Sequence, residues 1–185
     1  MFDFSKEISE EVKNLYSSIE EAKINMINYI TKNYYLKDSA GIGHAFLGPP
    51  ADILWDGKIL KFTIHDYPPK TNSLKKSTYS KIRELWQGYI IQAYRNSGLN
   101  LKFENAHCLI RMYLPTKIIG WDVDNRVINF TINALSHIHI IKDDNYKYLS
   151  YSVIGDVSEE PKTEVSVCEH ENINLLFPSQ NINTN

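Results

Sequence analysis

Two acidic pairs in a short span carry most of the chemistry this sequence offers. Asp122 and Asp124, within Trp121-Asp122-Val123-Asp124-Asn125, stand just before a stretch read as a helix, and Asp143-Asp144 follow it. Clustered carboxylates repel one another, so each is harder to ionise unless a positive charge lies between them. A divalent cation supplies that charge. Mg2+ takes hard oxygen ligands and keeps several waters, so two or three aspartates and a substrate phosphate complete its shell. Mg2+ or Mn2+ held this way polarises a phosphoryl oxygen and lowers the pKa of a bound water. At a helix N-terminus, Asp122, Asp124 and a neighbouring phosphate also lie in a favourable dipole. On spacing alone a second explanation stays open: Asp-x-Asp-Asn is also an ordinary capping turn, and Asp-Asp-Asn an ordinary loop.

The charge distribution separates these acids from a basic stretch. The chain of 185 residues has a formal charge of -2. Residues 1 to 60 carry nine acids and six bases, residues 61 to 121 three acids and ten bases, and residues 122 to 185 ten acids and four bases. Lys70, Lys75, Lys76 and Lys117 belong to the basic middle, directly ahead of the acidic cluster, while Arg126 and Lys142 flank the acids themselves. A cationic surface around a metal-binding centre is the pattern of a protein that handles nucleic-acid phosphates; a solvated face has the same composition.

The elements that must position these residues follow from periodicity. Ile8, Val12, Leu15, Ile19, Ala22, Met26 and Tyr29 alternate spacings of four and three, which predicts a helix over 8–30 with a narrow coiled-coil seam. Three heptads suit self-association, a partner, or packing on the same domain. Gly41, Gly43, Gly48, Pro49 and Pro50 predict a linker, and Asp56-Gly57 between β-prone runs a two-residue hairpin. The stripe Ile82, Leu85, Trp86, Tyr89, Ile90 and Ala93 predicts a helix over 78–96 capped by Gly98. A strand is expected over 106–114, a second core helix over 124–137, and strands over 146–154 and 162–168. For the acidic pairs to meet, the return segment His139 to Lys142 has to recover the helix length, as a strand would. The fold class is therefore α+β, a mixed β-sheet flanked by helices with an additional N-terminal amphipathic helix. The division is residues 1–50 as N-terminal helix and linker, 51–168 as the principal domain and 169–185 as a polar tail.

Several classes are excluded. No run of eighteen apolar residues exists and the start, MFDFSKEISEE, is acidic, so neither a membrane span nor a targeting segment is expected, and the cytoplasm is the expected compartment. GIGHAFLG is not a phosphate loop, because no Gly-Lys-Ser/Thr follows. Cys108 and Cys168 do not make a disulfide framework, and neither His107-Cys108 with Cys168-x-His170 nor His137 with His139 has a closed zinc spacing.

The order of motifs resembles the RusA-like Holliday-junction resolvases over roughly residues 60 to 168. The residues that carry the resemblance are Pro68-Pro69-Lys70-Thr71-Asn72, Asp122-Val123-Asp124-Asn125, Asn133-Ala134-Leu135 and Asp143-Asp144. The resemblance implies a homodimeric, Mg2+-dependent endonuclease that nicks four-way DNA junctions symmetrically. Asp122, Asp124 and Asp144 match its essential acidic positions, Asp143 the adjacent one, and Asn125 the residue closing the motif. The expected DNA-contacting set is Lys70, Asn72, Lys75, Lys76, Lys117, Asn125 and Arg126. Where the family has a catalytic lysine, this chain has Ile128. One turn after Asp124, position 128 is expected to face the ligands, so Ile128→Lys is expected to speed nicking. Lys142 is the expected substitute for the missing cation. The alternative is a junction-binding protein of the same fold that cleaves weakly or not at all.

Overall fold

The computed structural model describes residues 4–31, 51–70, 74–115 and 128–177, with residues 4–8 as backbone. In chain order the elements are α1 (Phe4–Ile30), β1 (Asp52–Trp55), β2 (Ile59–Ile64), α2 (Lys76–Ser97), β3 (Ala106–Leu114), α3 (Ile128–His137), β4 (Leu149–Val157), β5 (Lys162–Glu169) and a 3-10 helix, η1 (His170–Leu176). The strands form one sheet in the order β1-β2-β5-β3-β4. Its β3–β4 pair is parallel and the others antiparallel. The fold is thus α+β, with a mixed sheet flanked by helices and an N-terminal helix.

Period-two alternation assigns the two sheet faces. Leu60, Phe62 and Ile64 of β2, Val165 and Val167 of β5, and Cys108, Ile110 and Met112 of β3 are all buried and in register across the strands. They meet the buried stripe of α2, in which all six expected residues, Ile82 to Ala93, are buried. The same core takes in Phe130, Ile132 and Leu135 of α3. At about 25 cal/mol per Å2 of apolar area, such side chains contribute about 1.5–3 kcal/mol each. Gly98 closes α2 in the left-handed region, at φ 66°, where a Cβ is unfavourable.

Five expectations change. The hairpin turn falls on Gly57 and Lys58, one residue later than Asp56-Gly57: the register sets Asp56 opposite Ile59, and the Asp56 carboxylate accepts the N–H groups of both Lys58 and Ile59 at 2.8 and 2.7 Å. Strand β4 starts three residues late: Tyr148 and Leu149 both donate to the Asn145 carbonyl, holding 145–148 as a turn. The return segment His139 to Lys142 is not a strand. Ile141 makes a single bridge to Phe103, and His139 and Ile140 donate to the Ser136 and Leu135 carbonyls, which keeps the segment at the C-terminal end of α3. The residues read as a polar tail are packed as far as Leu176: β5 runs to Glu169, and η1 buries Leu176 against Leu109 and Cys168.

The fifth concerns α1. The seam Val12, Leu15, Ile19, Ala22 and Met26 is exposed, while Ser17, Ile24 and Thr31 on the opposite side are buried. Ile24 and Ile27 join the main core on that side, and polar contacts fasten it. Ser17 Oγ accepts the Lys75 N–H at 2.9 Å, Glu21 Oε1 accepts Thr78 Oγ1 at 3.0 Å, and Lys23 pairs with Asp66 at 2.7 Å.

Candidate metal and nucleic-acid site

Asp143 and Asp144 lie in the turn between α3 and β4, and their carboxylates are used differently. Asp143 Oδ1 accepts the backbone N–H of Asp144 at 2.8 Å, and its Oδ2 accepts the Asn145 side-chain amide. Both oxygens therefore serve the turn. Asp144 is exposed, and its carboxylate accepts no hydrogen bond from the described residues. An open pair of hard oxygens fits Mg2+ or Mn2+, so Asp144 suits a ligand role better than Asp143.

Lys142 is exposed and stacks its ammonium over the Tyr148 ring, 4.5 Å from the centroid. A hydrogen bond to Tyr148 holds its pKa above the ordinary lysine value. The group can therefore supply positive charge but not act as a base. Lys142, Asp143, Asn145, Tyr146, Lys147 and Tyr148 line a depression of about 580 Å3.

The expected cationic residues Lys70, Lys75 and Lys76 gather at the N-terminal end of α2. The Lys70 N–H donates to Tyr16 Oη at 3.0 Å, which ties the preceding loop to α1. Lys75 and Lys76 are exposed. No acidic residue lies in the first turn of α2 and its N-cap, Lys75, makes no side-chain cap, so helix dipole and lysines together make this end positive. Glu21 partly offsets it. Its hydrogen bond from Thr78, then the charge of Lys81, keeps its carboxyl below the usual range.

Contact between the two helices sets how these groups lie relative to the acids. Tyr79 in the first turn of α2 packs edge-on against Phe130 in the first turn of α3, with ring centroids 4.9 Å apart. The N-terminal ends of α2 and α3 are therefore side by side. Asp143 and Asp144 follow the other end of α3, whose ten residues span about 15 Å. Asp122, Asp124, Asn125, Arg126, Lys117 and Asn72 lie outside the described residues. At the head of α3, Ile128 is 9% exposed and part of the main core. It does not face out as a ligand neighbour.

Sequence reasoning missed a charged network on the sheet face away from the helices. Glu164 pairs with Lys61 at 3.0 Å and Lys162 at 2.9 Å, and Arg111 is its register partner on β3. Burial pushes the Glu164 carboxyl up, but the two lysines outweigh it and the net shift is downward. The signal was present as alternating polar residues in β2, β3 and β5.

The histidines also meet in an unforeseen way. Ser150 Oγ lies 2.8 Å from His107 Nδ1 and 3.2 Å from His170 Nδ1. His107 Nε2 is buried with no partner among the described residues. Burial, then the proximity of His170, lowers the His107 pKa. The unfolded chain takes up this proton near the ordinary histidine value of about 6.5, while the folded protein resists it. Stability is therefore present above that value and falls as pH drops through it, until folded His107 itself protonates. Thermal melts at pH 7.5 and 5.5 check this: His107→Gln should lose less stability between the two than the wild type. Burial also pushes the thiol of Cys108 up to about 12 and that of Cys168 to about 11, so neither is a thiolate at neutral pH.

Among the described residues no group of three or more His, Cys, Asp or Glu is gathered for a metal, and no helix is long and apolar enough to cross a membrane. A scan against protein-family models and a search of curated proteins each give no match. Among solved structures, the chain is similar to the periplasmic domain of Helicobacter pylori MotB (residues 90-256), with 9% identity and a TM-score of 0.34, covering 67% of this chain and 83% of that chain. A likeness at that level carries no argument about activity.

Proposed function

We propose that this chain is a Mg2+- or Mn2+-dependent endonuclease acting on branched DNA, RusA-like in its motifs, working in the cytoplasm as a homodimer. The observation that carries the reading is the Tyr79–Phe130 contact. It sets the cationic start of α2 beside the start of α3, the helix that the Asp122-Val123-Asp124-Asn125 motif precedes by a few residues. Lys75, Lys76 and the positive N-terminal end of α2 would hold a DNA phosphate there, largely by displacing its counterions. Asp122, Asp124 and Asp144 would hold the metal, which when bound supplies Lewis acidity at the phosphoryl group. The meeting of the two acidic pairs is part of the proposal: Asp124 stands four residues and Asp122 six before Ile128, extended reaches of up to ~14 and ~21 Å against the ~15 Å of α3. Lys142, kept protonated, would add charge for the leaving oxygen.

One observation favours the weaker reading, a junction-binding protein that cleaves slowly. Ile128 is in the core and Lys142 is engaged by Tyr148, so neither position expected to supply the cation holds a free ammonium beside the acids. Incubation with a labelled four-way junction and with linear duplex, each with and without Mg2+ or Mn2+, separates the two. Paired nicks in the junction alone, dependent on metal, are the expected result. Tight junction binding without nicks would establish the binding protein, and absence of both would end the DNA reading.

A further inference from the structure

We infer that the outward stripe of α1 is a dimerisation seam for a second copy of this chain. The inference stands on the helix alone and does not depend on the nuclease reading. Val12, Leu15, Ile19 and Met26 are 57–65% exposed and, with Ala22, repeat at alternating spacings of three and four. That is an average of 3.5, the repeat of a two-helix seam rather than of a helix lying on a broad core. The face a globular domain would use is separate: Ser17, Ile24 and Thr31, seven residues apart, are buried and lie about 140–180° around the helix from the stripe. The hydrogen bonds of Ser17 and Glu21 and the Lys23–Asp66 ion pair fasten that side. A partner helix would therefore approach from the side away from the body of its neighbour, and two copies would lie back to back across the coil.

Size and residue types both point to a second copy. Each exposed aliphatic side chain offers on the order of 100 Å2, so the stripe with its flanks amounts to roughly 500 Å2, as large as the largest apolar patch of a typical monomer. Two copies together would bury roughly 1,000 Å2, the threshold of a specific interface. A twofold axis lets one stripe serve both sides. With Val12 and Ile19 at a positions and Leu15 at d, the first half of the stripe has the β-branched a and Leu d pattern of parallel two-stranded coils, and Ala22 at d and Met26 at a continue it. In a parallel pair, Ile19 faces Ile19 of the other copy.

Sedimentation of the full chain tests this. The wild type should be a dimer at tens of micromolar, and Ile19→Glu should weaken association at least about a hundredfold, since like charges would face each other. Because Ile19 is exposed, the variant should melt at the wild-type temperature at concentrations where both are monomers. Mixing Ile19→Glu with Ile19→Lys should restore a dimer. A wild-type monomer at 100 µM or so, a dimer that survives Ile19→Glu, or failure of the mixed variants to pair would each overturn the inference. So would a lowered melting temperature in the monomeric variant, which would assign the stripe a cover within the same chain.

Discussion

Replacing Ile128 with lysine should lower the melting temperature by roughly 6–12 °C and leave nicking no faster than in the wild type. The RusA-like resemblance argues the opposite, since the family carries a lysine here and a cation beside the acids would stabilise developing charge. The packing decides between them. Ile128 is 9% exposed and shares the core with Phe130, Ile132 and Leu135, so the lysine would either bury its ammonium or pull its stem out and leave a cavity. Either cost is about 3 kcal/mol, and each kcal/mol moves the midpoint of a domain this size by about 2–4 °C. Ile128→Val should cost only about 1 kcal/mol. Calorimetry of the two variants beside a junction-nicking assay checks the point. An unchanged midpoint with faster nicking would mean that position 128 faces the reacting phosphate after all.

The second large effect separates two adjacent aspartates. If the metal reading holds, Asp144→Asn should slow nicking on the order of a hundred- to a thousandfold, the scale of losing one preorganised electrostatic element. The Asp122→Asn and Asp124→Asn changes should do the same. Asp143→Asn should do much less, because its two oxygens already hold the Asp144 N–H and the Asn145 amide. Mg2+ should raise the melting temperature of the wild type and of Asp143→Asn but not of Asp144→Asn. Equal loss in both single variants would remove the distinction drawn from the turn, and no loss in either would remove the metal site.

Local pattern was legible where a single periodicity had a single use. The stripe Ile82 to Ala93, with Gly98 after it, reads as a buried helix because every fourth or third apolar residue finds the same sheet, and β3 reads as a strand because Pro115 ends it. The failures share a cause in partners distant in sequence. Nothing near Leu176 indicates that it closes over Leu109 and Cys168. In α1 the apolar seam is the stronger pattern, yet the docking side is the one with Ser17, Glu21 and Ile24, held by core packing and by hydrogen bonds to residues some sixty positions away. The Asp-Gly turn was placed one residue early for a nearer reason: the Asp56 carboxylate takes the Lys58 and Ile59 N–H groups, so Asp56 flanks the turn rather than occupying it. Of the candidate site, the sequence identified the residue types and the charge, while which carboxylate stays open depends on the turn after α3.

Strand β5 comes last of the five along the chain and lies in the middle of the sheet, between β2 and β3. During synthesis, β2 and β3 therefore leave the ribosome long before the strand that joins them exists. Until residues 162–169 follow, each presents an unpaired edge of N–H and C=O groups and an apolar face to water. The sheet must close in one late, long-range step, which favours slow folding and leaves the nascent chain prone to association throughout that wait.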